Sequence, residues 1–117
     1  MIRQMKKIIL LGIMTLTVMS VFSQSKNIKV SGCIIEKETK EAVFQANVQM
    51  LKLPDSTYVK GTASDDKGIF TLSDIQSGKY LLKISFMGFK NKLIPVELTS
   101  DLAQKDMGKV ELEPDAI

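Results

Sequence analysis

The chain has 117 residues, enough for one small domain, with 16 basic and 13 acidic residues and a net charge of +3. Three of the basic residues, Arg3, Lys6 and Lys7, precede an N-terminal apolar run; without them 13 basic residues balance 13 acidic ones. This balance, without a basic stripe interleaved with aromatics, argues against nucleic-acid binding. The absence of histidine excludes a Ser-His-Asp triad, a histidine zinc site and a histidine general base.

The N-terminal segment has the pattern of a secretory signal peptide. Its basic start is followed by an apolar run from Ile8 to Phe22 and then by Ser23. A membrane span needs about 20 apolar residues, so this run is short for an anchor. We therefore predict a helical signal peptide over residues 1–23, a folded domain over residues 24–117, and export to the periplasm.

Cys33 is the single cysteine, so it forms no disulfide within the chain. The segment from Val30 to Cys33 resembles a lipoprotein acylation box. Such a box directly follows the apolar run, whereas Lys26, Asn27 and Lys29 intervene here. We therefore expect Cys33 to be an ordinary strand residue.

Short alternating segments predict seven strands in the rest of the chain, without an amphipathic helix. In the first, Ile28, Val30 and Ile34 share one face, and Gly32 between them indicates a bulge or a close backbone approach. Pro95 in the sixth strand indicates either a sheet edge or a strand boundary. The expected ranges are Ile28–Glu36, Ala46–Leu51, Thr57–Ala63, Ile69–Ser73, Lys79–Met87, Lys90–Leu98 and Lys109–Glu113.

Turns separate these strands at intervals typical of an all-β sandwich. One is expected at Asp65–Gly68, where an Asp side chain accepts backbone N–H groups and Gly supplies a positive φ. A second is expected at Gln76–Gly78, a charged one at Lys37–Glu41, and a polar connection at 99–105, either a plain loop or a helical turn. In the fifth strand Tyr80, Leu82, Ile84 and Phe86 point inward, opposite a mixed face of Leu81, Lys83, Ser85 and Met87. The fold class is therefore a seven-stranded antiparallel β-sandwich.

Other candidate site residues have ordinary structural roles in this pattern. Asp65 and Asp66 suggest calcium, but an EF-hand spacing would put Lys67 and Ile69 at the next ligand positions, so turn capping is the better interpretation. The carboxylates of the charged turn are expected to be solvated; they are Glu36, Glu38 and Glu41. We predict no catalytic, cofactor-binding or metal-binding residues.

Three aromatics are candidates for a sugar-stacking surface. Tyr80 is expected to point inward, Phe44 lies in a loop, and Tyr58 lies in the third strand. Aromatic side chains in sandwiches belong to the core more often than to a binding surface, and a shared fold alone is a weak reason to assign function. Glycan binding is therefore kept as an alternative.

Three motifs in order resemble carboxypeptidase-regulatory-like domains. The first is a strand with Gly32 in its middle, followed by a charged hairpin and an A-x-V strand. The second, GTASDDKGIFTL, is similar to G-x-x-T-D-x-x-G-x-F-x-L, with Ser64 where Thr is usual. The third, GKYLLKISFMGF, is similar to G-x-Y-x-L-x-V-x-x-x-G-Y/F. The resemblance covers Lys29 to about Glu113 and implies a transthyretin-like or immunoglobulin-like sandwich.

The segments LPDSTYVKGTASDDKGIF and KVELEPDAI are similar to N-terminal extensions of TonB-dependent receptor-type outer-membrane proteins of Bacteroidota. In those proteins the domain lies in the periplasm ahead of a plug and a barrel. No plug, barrel or TonB box follows here, so transport is not carried over, and we expect either a fragment or a stand-alone module.

Two functions are weighed from these observations. The first is a non-enzymatic periplasmic module that spaces or docks a protein partner, such as the plug and barrel of a receptor, and that meets the membrane only through an attached barrel. The second is a carbohydrate-binding module at the cell envelope. Glycan binding predicts two exposed aromatics on one surface, whereas the first function predicts that most aromatics are buried. An exposed sheet edge could accept a partner strand, unless Lys and Pro near the sixth strand block it.

Overall fold

The computed structural model describes residues 27–115, and the predicted signal peptide over 1–23 lies outside this range. The described residues form strands, turns and loops without a helix. None of them forms a helix long and apolar enough to cross a membrane. The strands are β1 (Ile28–Glu36), β2 (Asn47–Lys52), β3 (Thr57–Ala63), β4 (Ile69–Ile75), β5 (Gly78–Ser85), β6 (Lys92–Leu98) and β7 (Gln104–Leu112).

The seven strands form two sheets. The three-stranded sheet has the order β4-β1-β7, and the four-stranded sheet has the order β3-β2-β5-β6. All pairs are antiparallel except β1 and β7, which run parallel. The expectation of a wholly antiparallel fold is therefore wrong at this pair. β7 joins β1 after the chain has passed through the other sheet, and a parallel pair requires such a long connection instead of a hairpin.

One apolar core lies between the two sheets. Alternate residues of β1 and β5 point into it, as the sequence predicted, and Ile28, Ile34, Leu82 and Ile84 are all 0% exposed. Side chains from both sheets join one cluster, which identifies the two layers as a sandwich. The larger members from the remaining strands are Val48, Met50, Phe70, Leu72, Ile75, Val96, Leu98, Val110 and Leu112.

Gly32 lies where β1 meets both of its neighbours. A Cβ atom on Gly32 would lie 2.7 Å from Cε1 and Cζ of Phe70 and 3.2 Å from Cβ of Met107. The β1–β7 register also shifts here, from Ser31 opposite Asp106 to Cys33 opposite Lys109. Of the two alternatives predicted for Gly32, the close approach is confirmed, to the side chains of Phe70 and Met107, and the extra residue of the bulge lies opposite it in β7.

Several strand ends differ from the predicted ones because of irregular backbone. β4 continues past the predicted Ser73 to Ile75. The sequence pattern missed the last two residues because a register shift and a positive φ of 60° at Asp74 interrupt the alternation of buried and exposed residues. β7 begins at Gln104 instead of the predicted Lys109. A bulge at Gly108 divides the strand, so its two halves do not share one alternating pattern in the sequence. β5 ends at Ser85, two residues early, because the chain turns there and Phe89 N–H donates to Phe86 O at 3.1 Å.

Ser64 is a buried polar residue, 2% exposed, at the end of β3. Its Oγ accepts a hydrogen bond from Ala46 N–H at 2.9 Å and donates one to Val43 O at 2.6 Å. The hydroxyl therefore satisfies two backbone groups of the segment that leads into β2. A threonine, usual at this position in the resembling family, has the same hydroxyl, which gives a physical reason for the residue type.

Candidate functional site

The predicted turn at Asp65–Gly68 is confirmed in detail. Asp65 Oδ1 accepts the N–H groups of Lys67 and Ile69, both at 2.9 Å, and Gly68 has a φ of 80°. A Cβ atom on Gly68 would overlap Ile34 O. The Asp65 carboxylate therefore organises the loop between β3 and β4, as turn capping predicts.

The other candidate ligands do not converge with it. Across residues 27–115 no group of three or more His, Cys, Asp or Glu side chains is placed to hold a metal ion. Glu36 accepts a hydrogen bond from Thr39 Oγ1 at 3.1 Å within the charged turn. Cys33 lies in β1 and is partly buried, with Sγ 3.5 Å from Lys67 O. These side chains have local structural contacts.

The three candidate aromatics lie in three different environments. Tyr80 is 2% exposed and donates a hydrogen bond from its hydroxyl to Gln76 O at 2.7 Å. Burial raises the pKa of this phenol above 10.0. Phe44 is 52% exposed in the loop before β2, and Tyr58 is 59% exposed in β3, opposite Leu51 near the far end of β2. The two exposed rings are therefore separated along the length of β2.

The edges of the two sheets meet on one side of the sandwich, where β3 lies beside β4. Both strands are irregular there. The β2–β3 register passes from Lys60 to Tyr58 in one step of β2, which leaves Val59 as a bulge. β4 has its own bulge near Asp74, and Lys60 Nζ donates a hydrogen bond across the gap to Ser73 O at 2.6 Å. The lysine ties the two edges together.

The opposite side of the sandwich is bounded by β6 and β7. Pro95 has no N–H to donate, and it lies in β6 at the edge of the four-stranded sheet, as predicted. The Gly108 bulge, with a φ of 69°, interrupts β7. Between the strands is a groove with Ile94 and Met107 among its lining residues. At its rim Lys37 donates a hydrogen bond to Glu113 at 3.2 Å and lowers the pKa of that carboxyl.

Each of the four edge strands therefore carries a device that interrupts regular strand pairing: a bulge in β3, β4 and β7, and a proline in β6. Bulges, prolines and lysines at edges oppose the addition of a further strand. Interaction through a sheet face is consequently favoured over interaction through a sheet edge.

The outer face of the four-stranded sheet carries an apolar row that crosses all four strands. The register places Tyr58 opposite Leu51, Leu51 opposite Leu81, and Leu81 opposite Pro95. These residues alternate with core residues such as Met50 and Leu82, so they point away from the core. We call the row of Tyr58, Leu51, Leu81 and Pro95 the cross-strand stripe.

Lysines lie on both sides of the cross-strand stripe. Lys79 and Lys83 are in β5 two residues before and after Leu81, on the same face. Lys79 is opposite Glu97, and Lys83 is opposite Leu93, which is 54% exposed. The face therefore combines a central apolar row with an excess of positive charge.

The Tyr58 ring extends along this face over Gly61. A Cβ atom on Gly61 would lie 2.8 Å from Tyr58 Oη and 3.4 Å from its Cε2. Gly61, the glycine of the G-x-x-T-D motif, has no side chain, and the Tyr58 ring occupies the space where a side chain would lie. Tyr58 and the mixed face of β5 are distant in the sequence, and only the strand register shows that they belong to one surface.

The CarboxypepD_reg-like domain matches residues 30–116. The chain belongs to this family. The match spans all seven strands, from β1 to the end of β7. The family is a regulatory-like, non-catalytic domain, which agrees with the resemblance found in the motifs. A search of curated proteins finds no match.

Solved structures share the fold at low sequence identity. The TIE protein of Bacillus anthracis is 13% identical with a TM-score of 0.63, over 75% of this chain and 17% of that one. BcpA, the major pilin subunit of Bacillus cereus, is 13% identical with a TM-score of 0.65, over 77% and 31%. The 3-chlorocatechol 1,2-dioxygenase of Rhodococcus opacus 1CP is 10% identical with a TM-score of 0.60, over 79% and 62%.

The chain spans less than two thirds of the length of each of these proteins. At such identities the likeness concerns the fold alone. The dioxygenase likeness does not establish catalysis in this chain. A sandwich of this architecture is thus found within pilins and enzymes alike, and its function depends on its surfaces.

Proposed function

We propose that this chain is a non-enzymatic, periplasm-facing module that docks or spaces a protein partner of an outer-membrane receptor system. The observation that carries the proposal is the cross-strand stripe on a sandwich whose core is already complete. Exposed apolar rows on a sheet face are typical of interaction surfaces. Membership of a regulatory-like family and the resemblance to receptor extensions support the assignment.

The glycan-binding alternative is less well supported by the geometry. It requires two exposed aromatics on one surface, whereas Phe44 and Tyr58 are separated by the length of β2. Tyr80, the third candidate, is in the core. Protein docking requires no such pair, because one aromatic anchor among aliphatic neighbours suffices.

Cell fractionation with an antibody against this domain tests the proposal, with apparent size determined beside compartment. A large species in the outer membrane would identify the domain as the front of a receptor. A small soluble periplasmic species would identify a free module that acts on a separate partner. Detection in the cytoplasm alone would refute the proposal.

A further inference from the structure

We propose that the cross-strand stripe docks a protein segment in which apolar side chains are flanked by carboxylates. This inference rests on the proposed docking function and names the chemistry of the partner. It places the contact on the outer face of the four-stranded sheet, with Tyr58 as anchor and Lys79 and Lys83 as the charged rim.

Apart from Met87 and Phe44, which lie in loops, most of the exposed large apolar side chains belong to the four-stranded sheet. Tyr58 is 59% exposed and Leu93 is 54% exposed, with Leu51 and Leu81 half-buried between them. The outer face of the three-stranded sheet carries one exposed large apolar side chain, Ile69 at 43% exposed, among polar residues such as Lys29, Ser31 and Thr71. A partner that covers an apolar surface would therefore gain more at the cross-strand stripe.

The charge of the rim selects the class of partner. Lys79 and Lys83 flank the row, and Glu97 is the acidic residue opposite Lys79. A second copy stacked face to face would carry the same excess of lysine over glutamate, which is less favourable than a carboxylate-bearing partner. A segment with carboxylates beside apolar side chains matches both the apolar row and the lysines that flank it. Attraction between opposite charges would also raise the association rate.

The shape of the surface favours a protein over a lipid bilayer. Leu51 and Leu81 are half-buried between their neighbours in the sheet, so they do not project as an inserting loop does. The Tyr58 ring lies along the sheet over Gly61, which has no side chain to displace it. An aromatic ring already placed for contact loses little freedom on binding, which is typical of residues that dominate interface energies.

Binding of defined peptides to the full chain, as recovered from expressing bacteria, tests the inference. The probe is a short labelled peptide that alternates aspartate with leucine and phenylalanine. One matched peptide has serine for the apolar residues, and another has lysine for aspartate. Fluorescence anisotropy should detect binding of the first peptide and, for each matched peptide, affinity weaker by roughly tenfold or more.

Substitutions locate the binding on the surface. Tyr58→Ser should weaken binding by roughly tenfold, since an aromatic anchor is lost. Lys83→Glu should shift the preference toward the lysine-containing peptide, a gain that loss of folding does not produce. Thr71→Ala, on the outer face of the other sheet, is the matched control and should leave the affinity unchanged. Circular dichroism confirms that each variant folds.

Four outcomes would overturn the inference. Equal binding of the serine peptide would show that charge alone acts. Absence of peptide binding would refute the partner chemistry, while a periplasmic or outer-membrane location would still support the proposed function. Tyr58-dependent binding to phosphatidylglycerol vesicles, without peptide binding, would identify a membrane surface. A dimer that Tyr58→Ser dissociates would identify a second copy as the occupant.

Discussion

Replacing Gly32 with alanine tests the packing of β1 against its neighbours β4 and β7 on the inner side of the three-stranded sheet. The added methyl group would lie 2.7 Å from two ring carbons of Phe70, which is itself only 1% exposed. The ring is enclosed by the core, so it has little room to retreat. Met107 Cβ, 3.2 Å away, limits movement on the other side.

Overpacking of a filled core typically costs about 1–3 kcal/mol, and the enclosed ring places Gly32→Ala near 2 kcal/mol. For a domain of this size, 1 kcal/mol lowers Tm by about 4–8 °C. We therefore expect Tm to fall by about 8–16 °C. Phe70→Leu alone should also destabilise, because it leaves a cavity. In the double variant, the smaller leucine at position 70 leaves room for the methyl group of the alanine at position 32. The double variant should therefore lose less free energy of unfolding than the sum of the losses of the two single variants.

Urea unfolding followed by circular dichroism measures these free energies, since the chain has no tryptophan. Ser31→Ala, the neighbouring outward residue, is the control and should change the free energy of unfolding by less than about 0.5 kcal/mol. The packing argument would be refuted if Gly32→Ala left the free energy of unfolding unchanged. It would also be refuted if the loss in the double variant equalled the sum of the two single losses.

Three further substitutions are predicted. Ser64→Ala should cost about 1–3 kcal/mol in urea unfolding by stranding two buried backbone groups, whereas Ser64→Thr keeps both hydrogen bonds and should cost less. Asp65→Ala should cost about 1 kcal/mol by the same assay, Asp65→Asn should recover most of it, and Gly68→Ala should cost about 1–3 kcal/mol because its φ is positive. Tyr80→Phe should lose about 1 kcal/mol at neutral pH. Burial raises the pKa of Tyr80 above 10.0 in the folded protein, so the stability of the protein with Tyr80 falls as the pH rises above the pKa of the unfolded chain. Urea unfolding at increasing pH should therefore show that the difference in free energy of unfolding between this protein and the Tyr80→Phe variant becomes smaller.

Strand positions were largely predictable from alternation. β1 and β3 have the predicted bounds, Ile28–Glu36 and Thr57–Ala63, since their neighbouring turns are marked by charged residues, Pro and Asp. In β5 the predicted inward residues Tyr80, Leu82 and Ile84 are buried, whereas Phe86, predicted with them, lies past the end of the strand and is partly buried against the core. Period-two burial leaves a clear signal wherever the backbone stays regular.

Prediction failed where the register shifts. A bulge inserts a residue and reverses the alternation, so Ile75 was left out of β4, and the start of β7 at Gln104 and Lys105 was predicted as part of a polar connection. The exposed edge position of Gln104 and Lys105 removed the apolar signal as well. The parallel pairing of β1 and β7 depends on sheet order, which local patterns do not contain.

The candidate surface was only partly predictable for a related reason. The sequence placed Leu81 and Lys83 on a mixed face of the fifth strand and Tyr58 in the third strand. Their union in one surface requires the register of Tyr58 with Leu51 and of Leu51 with Leu81. Cross-strand neighbours are distant in the chain, and the Val59 bulge shifts the pairing by one residue, so no spacing rule identifies them.

The bulges that obscured the strand ends also bear on function. A regular edge would offer a partner its backbone hydrogen bonds, whatever the partner's side chains. With β3, β4 and β7 bulged and Pro95 in β6, that general mode is disfavoured. Recognition then depends on side chains of a face, where Tyr58 and the flanking lysines discriminate between partners. The irregular edges thus disfavour strand addition, and the cross-strand stripe offers instead a surface that binds through its side chains and can select its partner.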